Sequence, residues 1–122
     1  MKTFILAALL QATVSAPDPT TTNEMAAAVW APLPGSPTLL YDKSSVKFTA
    51  GKVTAWVRRK DQPGMVADDR VEARCPAGTA RIVRMRTATH DGKYVWTREA
   101  TVDQKDQPPK GAAPGVCRIR RT

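Results

Sequence analysis

The chain has 122 residues, a formal net charge of +8 and two cysteines. Hydrophobic residues (42%) and charged residues (25%) occur in ordinary globular proportions, so the sequence predicts one small folded domain and not a disordered tail. One histidine and two cysteines are too few for a Cys/His zinc cluster, and no CxxC, GxGxxG or GxxxxGKS/T motif occurs. We therefore predict neither a metal nor a cofactor.

Residues 1–16 have the organisation of a secretory signal peptide. A basic start with Lys2 precedes seven apolar residues (4–10) and a small, polar stretch (11–16). An apolar run of this length is far shorter than the roughly 20 residues that span a bilayer, so no transmembrane segment is predicted. No cysteine that could carry a lipid anchor follows the run. We expect an exported protein, located in the periplasm, at the cell surface or in the medium.

The position of signal cleavage stays open. A cut after position 16 suits the small residues before it but would leave Pro17 directly behind the cut, and cuts after Ser15 or Ala12 are the alternatives. Residues 17–28 begin with a Pro/Thr-rich stretch and are predicted to form a flexible leader. The folded domain is accordingly expected at 29–122.

The two cysteines predict a disulfide, because an even number of cysteines in an exported chain usually pairs. Joining Cys75 to Cys117 closes a loop of about 43 residues, for which the chain-entropy estimate is roughly 4 kcal/mol. The alternative is a reactive thiol pair, but neither cysteine has the CxxC spacing that lowers a thiol pKa.

The apolar pattern predicts short strands joined by turns. The stretch after Trp30 is interrupted by prolines and is predicted to be extended or a turn. The predicted strands are 39–41, 46–48, 52–60, 70–75, 80–89 and 94–99, and 116–119 could add a final short strand. The connections are turns at 42–45, 76–79 and 90–93, a loop at 61–69 and a polar, Pro/Gly-rich segment at 102–115. The predicted fold is mainly β (α+β possible), with a single antiparallel sheet of about five to six strands, little helix and one disulfide.

One irregularity is visible in the strand predicted at 80–89. Ile82 and Val83 are adjacent apolar residues and break the alternation of the strand. A β-bulge at this point would turn both side chains inward and Arg81 outward.

Several motifs stand in a fixed order over about residues 29–120. They are Trp30, the block Tyr41–Val46, the block Gly51–Val57, a strand ending in Cys75, a basic strand at 81–86, Trp96 after a turn, and Cys117. Together they resemble the surface-adhesin protein E-like family of small exported bacterial proteins.

The resemblance implies a six-stranded antiparallel sheet with a C-terminal helix. For the namesake of the family it also implies a homodimer and binding to an extracellular-matrix protein of a host. Two features of this chain depart from the family. The namesake is a lipoprotein, whereas this chain has no lipid-attachment cysteine, and prolines and glycines occupy 108–115, where the family has its helix. No adhesive residue is carried over, because no binding motif of the family matches here.

Basic residues provide the candidate binding site. The predicted alternation places arginines on one sheet face, together with a tryptophan from a neighbouring strand. They are Arg70, Arg74, Arg81, Arg84, Arg86 and Trp56. A dense arginine face can bind phosphate, sulfate or carboxylate groups bidentately, and an outward tryptophan can mark a binding or dimer surface. Alternatively, the arginines keep a solvated face from aggregating, and the tryptophan is covered by the N-terminal segment around Trp30 or by the C-terminal segment.

Two other groups have a functional and a structural interpretation. His90 would need an orienting partner and a nucleophile to act as a general base, and is better explained as a turn residue. Asp68 and Asp69 could provide half of a calcium site, but a pair of solvated loop carboxylates is the simpler interpretation. We predict no catalytic residue.

The sequence thus predicts a non-enzymatic envelope or secreted protein that binds a partner through its basic face. For an exported protein an extracellular-matrix protein, an anionic glycan or a lipid head group is a better partner than nucleic acid. The alternative is a soluble periplasmic structural or ligand-binding module without an adhesive role. An enzyme is the third and least favoured class, because the chain offers one histidine and no metal-binding set.

Overall fold

The computed structural model describes residues 27–76, 78–91 and 93–120. The predicted signal peptide and leader residues 17–26 lie outside the described residues. Seven strands form one antiparallel sheet: β1 (Trp30–Leu33), β2 (Ser36–Asp42), β3 (Lys47–Thr49), β4 (Lys52–Arg59), β5 (Val66–Arg74), β6 (Thr79–Ala88) and β7 (Val95–Glu99). The other elements are a 3-10 turn (Lys43–Ser45) and two short helices, α1 (Val102–Lys105) and α2 (Ala112–Cys117). Within the described part of the chain, no helix has the length and apolar character needed to cross a bilayer.

The strand order is β1-β2-β4-β5-β6-β7, and β3 pairs with the first half of β4. The second half of β4 pairs with β2. The 3-10 turn connects β2 to β3, and so lies at the point along β4 where its pairing changes from β3 to β2. Asp42 Oδ1 accepts hydrogen bonds from the backbone N–H groups of Val29 (2.9 Å) and Ser44 (3.0 Å). The N–H of Trp56 donates to Ser45 Oγ at 3.0 Å. Side chains at the turn therefore satisfy backbone donors where the ladder is interrupted.

One face of the sheet, here called the core face, packs under α2. Its buried cluster contains Leu33, Leu39, Val53, Ala55, Val57, Val71, Ala73, Ala112, Val116 and Ile119. β4 and β5 supply alternate residues to it, as the period of a strand requires. Gly115 lets α2 approach β1 closely, because a Cβ at this position would lie 2.7 Å from Leu33 Cδ2.

The predicted fold class is confirmed: the protein is mainly β, with one antiparallel sheet, two short helices and one disulfide. The sheet has seven strands, one more than the upper expected number. The extra strand is β1, which contains Pro32; a proline is tolerated there because β1 is an edge strand.

Two boundary predictions are wrong. The loop predicted at 61–69 ends early, because β5 begins at Val66 and includes Asp68 and Asp69. The strand proposed at 116–119 is not formed, because 112–117 is helical. Pro114 fits the first turn of α2, where the missing N–H costs no intrahelical bond.

The predicted bulge is present in β6. Arg70 pairs with Arg84 while the next residue, Val71, pairs with Ile82, so Val83 is the extra residue. Ile82 is buried as expected, whereas Val83 is only half-buried. The bulge keeps Arg81 exposed and in register with Glu72.

The predicted disulfide is also confirmed. Cys75 and Cys117 are joined, with Cα atoms 5.5 Å apart. The bond ties the end of β5 to the end of α2, and so holds the helix over the core face.

Reduction of this bond should strongly destabilise the protein, because it releases a loop worth roughly 4 kcal/mol of chain entropy. We expect the melting temperature to fall by about 15 °C or more in reductant, measured by circular dichroism. The double variant Cys75→Ser/Cys117→Ser is the control: it should melt at the lowered temperature with or without reductant. An unchanged melting temperature of the wild type in reductant would contradict the prediction.

Candidate functional site

The side of the sheet opposite the core face carries the basic residues and is here called the arginine face. Residues directly opposite each other on paired strands project from the same face. Trp56 pairs with Arg70, which pairs with Arg84. The next row contains Arg58, Asp68 and Arg86. By the same register, Arg81 and Arg74 extend the arginine face along β6 and β5.

Asp68 is the centre of this face. Arg58 binds it bidentately, with Nε 2.7 Å from Oδ1 and Nη2 3.0 Å from Oδ2. Arg86 donates from Nε to Oδ2 at 2.8 Å. The Asp68 and Arg86 side chains are fully buried, and that of Arg58 is 18% exposed. One buried carboxylate therefore serves two guanidinium groups, and the three side chains together retain one positive charge.

Two tryptophans extend this arrangement. The guanidinium carbon of Arg86 lies 4.1 Å from the centroid of the Trp56 ring, and that of Arg58 lies 4.0 Å from Trp30. Desolvated cation–π contacts of this kind contribute roughly 2 kcal/mol each. Trp30, Trp56, Arg58, Asp68 and Arg86, here called the Asp68 cluster, thus link β1, β4, β5 and β6.

Three nitrogen atoms of the Asp68 cluster have no hydrogen-bond acceptor among residues 27–76, 78–91 and 93–120. They are Nη1 and Nη2 of Arg86 and Nε1 of Trp56, and all three are buried. Buried donors are almost always paired in folded proteins, so each exception needs an explanation.

The exposed basic residues surround the Asp68 cluster. The side chains of Arg81 and Arg84 are 59% and 49% exposed, and Arg74 is also exposed. Arg70 is half-buried, with its guanidinium carbon 5.9 Å from the Trp56 ring. These four arginines are here called the rim.

Carboxylates offset the rim only in part. Glu72 lies 3.8 Å from both Lys52 and Arg81, and Glu99 lies 3.3 Å from Arg84. Such exposed pairs are weak, so Arg81 and Arg84 stay available to other anions. A shallow cavity of about 250 Å³ opens beside them, between Lys52, Arg74 and Arg81.

The structure places the predicted site residues in two environments. Arg70, Arg74, Arg81 and Arg84 lie towards the surface of the arginine face, whereas Arg86 does not reach it. Arg86 is fully buried because Asp68 neutralises it and Trp56 stacks beneath it. Trp56 is 3% exposed and is therefore covered, and the groups over its ring include Arg86 of β6 and Arg70 of β5.

Sequence analysis missed three members of the Asp68 cluster: Trp30, Arg58 and Asp68. A signal for Asp68 was present, because Val66, Asp68, Arg70, Glu72 and Arg74 alternate in one phase. The acidic pair at 68–69 suggested a loop, and this concealed the strand.

Neither interpretation of the two aspartates is correct. They lie on strand β5 and point to opposite faces, since Asp68 pairs with Arg86 and Asp69 with Met85. Across residues 27–76, 78–91 and 93–120, no group of three or more His, Cys, Asp or Glu side chains could hold a metal. His90 is exposed in the turn before β7, as expected for a turn residue.

Asp69 has the more unusual environment of the pair. It is 7% exposed on the core face. Burial raises the pKa of its carboxyl group, Arg59 and Arg98 partly oppose this, and the charge of Asp68 adds to it. Asp69 is therefore destabilising when it is ionised.

Comparison with protein-family models gave no match, and comparisons with curated proteins and with solved structures gave none either.

Replacing Asp68 should strongly destabilise the fold. Asp68→Asn leaves Arg58 and Arg86 without their carboxylate in a buried site, and we expect a loss of about 3–5 kcal/mol in urea denaturation. Glu72→Gln is the matched control, because it removes a carboxylate from the same strand and face; its pairs are longer and partly exposed, so it should cost less than about 1 kcal/mol. Equal effects of the two variants would contradict the central role of Asp68.

The stability of the protein should also show the raised pKa of Asp69. Native Asp69 holds its proton to a higher pH than unfolded Asp69. The stability that this bound proton contributes to the native state is therefore lost as the pH rises from about 4 through the raised pKa. Compared with wild type, Asp69→Asn should therefore gain stability between pH 3 and pH 7, measured by urea denaturation at each pH.

Asp91→Asn provides a control of opposite sign. A hydrogen bond from Thr89 and one from the backbone of Lys93 lower the pKa of Asp91, so wild type gains stability over this variant as the pH rises. If both variants follow the same trend with pH, the assignment to Asp69 is wrong.

Proposed function

We propose that the protein is an exported, non-enzymatic binding protein whose arginine face binds an anionic glycan. The observation that carries the proposal is the rim, in which exposed arginines of β5 and β6 stand on one side of a sheet. Planar guanidinium groups recognise sulfate and carboxylate groups bidentately. Extracellular-matrix proteins that carry anionic chains present the same chemistry.

The charge balance of the arginine face supports this proposal. The cations in register on β3 to β6 are Lys47, Lys52, Arg58, Arg70, Arg74, Arg81, Arg84 and Arg86. The carboxylates on the same face are Asp42 of β2, Asp68 and Glu72 of β5, and Glu99 of β7. The face therefore carries an excess of positive charge, which attracts a polyanion and speeds its association.

The location of exposed apolar side chains favours a glycan over a membrane. The large apolar residues with the greatest exposure are Val29, Met65, Tyr94 and Val102. None of these four belongs to the arginine face, whereas a surface that inserts into lipid presents apolar side chains beside its basic ones. A flat row of arginines suits the repeated charges of a polymer.

The disulfide supports the expected compartment. Disulfides persist in oxidising environments such as the periplasm and the extracellular space, and are rare in the cytosol. Cys75–Cys117 therefore agrees with export through the signal peptide expected at 1–16. For an exported protein a glycan is also a more accessible partner than nucleic acid.

The second candidate is a periplasmic structural module in which the arginine face only stabilises the sheet. The burial of the Asp68 cluster favours this alternative, because Asp68 and Arg86 contribute to the fold without reaching the surface. The two candidates differ in their predictions for the rim. In a purely structural module the exposed arginines of the rim bind no anionic partner.

The rim should determine binding to a sulfated glycan. Arg81→Ala/Arg84→Ala should weaken the affinity for heparin at least about tenfold, and reduce the dependence of log K on log salt by about two, one for each cation removed. Fluorescence polarisation with a labelled heparin oligosaccharide, repeated at several salt concentrations, measures both quantities.

Arg59→Ala/Lys110→Ala is the matched control. It removes the same charge, but both residues lie beside Leu39 of the core cluster, on the other side of the sheet. This variant should bind nearly as wild type does. If the two variants lose equal affinity for heparin, the interaction depends only on the net charge of the protein and not on the rim. If wild-type protein binds vesicles of anionic lipid but not heparin, the partner is a head group and the glycan proposal is wrong.

A further inference from the structure

The unpaired donors of the Asp68 cluster require an acceptor. A guanidinium group has five N–H bonds, and Arg86 uses only its Nε–H, on Asp68. Nη1 and Nη2 of Arg86 and Nε1 of Trp56 are buried, and no residue that the structure describes accepts a hydrogen bond from them. A buried donor without a partner destabilises the fold, most of all when it carries charge. An oxygen-rich group placed at these atoms would remove that cost.

The charge of the site selects an anion. Asp68 is shared between Arg58 and Arg86, so it neutralises only one of the two. A neutral acceptor would satisfy the hydrogen bonds but leave this positive charge uncompensated in a buried site.

The positions of the donors select the shape of the anion. Arg86 lies over the face of the Trp56 ring, so the Nη atoms and the indole N–H occupy two separate layers. A planar carboxylate aligns its oxygens well with donors in one plane. A tetrahedral group presents oxygens in several directions, and can accept from both layers at once.

We propose that Arg86 and Trp56 form a binding site for one tetrahedral oxyanion, a sulfate or phosphate group. Asp68 holds Arg86 by Nε and leaves the edge that carries both Nη atoms for the anion. Because the three nitrogen atoms are buried, entry requires the side chains over them to move aside. Arg84 of the rim is two residues from Arg86 on the same face and would attract the anion to this point.

This proposal rests on the proposed function, because the oxyanion would be an ester group of the glycan that the arginine face binds. The two are nevertheless tested by different residues. The rim variants Arg81→Ala/Arg84→Ala report on the polymer, whereas Trp56 reports on the single oxyanion.

The experiment uses ¹⁵N-labelled full-length mature protein titrated with inorganic sulfate, phosphate or acetate at constant ionic strength. The indole N–H signal of Trp56 is assigned by its absence in Trp56→Phe. This variant keeps an aromatic ring beneath Arg86 and removes the donor together with part of the indole ring, a loss of volume that the control Trp96→Phe shares. Sulfate and phosphate at millimolar concentration should shift the Trp56 signal in a saturable way, and acetate should shift it much less.

Affinities measured by calorimetry complete the test. Trp56→Phe should bind sulfate about tenfold more weakly, as expected for loss of one hydrogen bond to a charged group. Trp96→Phe is the matched control, because this tryptophan is on β7 in register with Thr87, on the opposite face, and should bind as wild type does. The proposal is overturned if no saturable shift occurs, if acetate acts as strongly as sulfate, or if the two variants bind equally.

The same variants identify the source of the oxyanion. If Trp56→Phe also weakens binding to heparin, but not to an unsulfated polyuronate, the site takes a sulfate ester of the glycan, as proposed. If its effect is confined to inorganic ions, the site takes a free oxyanion and the link to the glycan is wrong.

The two proposals can fail separately. Loss of heparin binding in the rim variant, together with a normal Trp56 shift on addition of sulfate, would support both proposals. Normal heparin binding by the wild type without any Trp56 shift on addition of sulfate would overturn the oxyanion site.

Discussion

The sharing of one buried carboxylate between two arginines is the constraint on which the arginine face depends. Without Asp68, neither Arg58 nor Arg86 could remain next to the sheet, because an uncompensated guanidinium in a buried site carries a large desolvation cost. With it, both side chains are held flat enough to stack on tryptophans. The cation–π contacts, the burial of Trp56 and the attachment of β1 through Trp30 all follow from this one interaction.

The two faces of the sheet are stabilised by different means. The core face is covered by α2, which the disulfide and the close approach at Gly115 hold in place. On the arginine face, arginine side chains cover the indole rings. The stem of an arginine is apolar and its guanidinium is planar, so it can cover an aromatic ring while its edge still offers hydrogen bonds. A small chain thus shields its second sheet face with polar residues.

The same arrangement explains why binding is a reasonable role for this face. Buried ion pairs are often no more stabilising than apolar residues of the same size, so an Asp–Arg centre is not needed for stability alone. Asp68 fixes the orientation of Arg86, whose Nη atoms find no acceptor among the described residues, on the face that also carries the rim. Orientation by a buried carboxylate, combined with attraction by exposed arginines, is what recognition of an oxyanion on a polymer requires.

The sequence by itself determined the antiparallel sheet, because period-two alternation and hairpin turns such as Asp91–Gly92 depend only on neighbouring residues. It also predicted the disulfide, from the presence of two cysteines, and the bulge at Val83, from two adjacent apolar residues. Local pattern failed at Asp68 and Asp69, where two acidic residues suggested a loop and the structure forms a strand.

Only the tertiary structure decided which charges are buried. Arg84 and Arg86 have the same phase on the same strand, yet one is exposed and the other fully buried. The difference comes from the cross-strand partners, because Arg86 faces Asp68 whereas Arg84 faces Arg70. Pairing between distant segments sets these partners, and the alternation of a single strand carries no information about which residue will stand opposite.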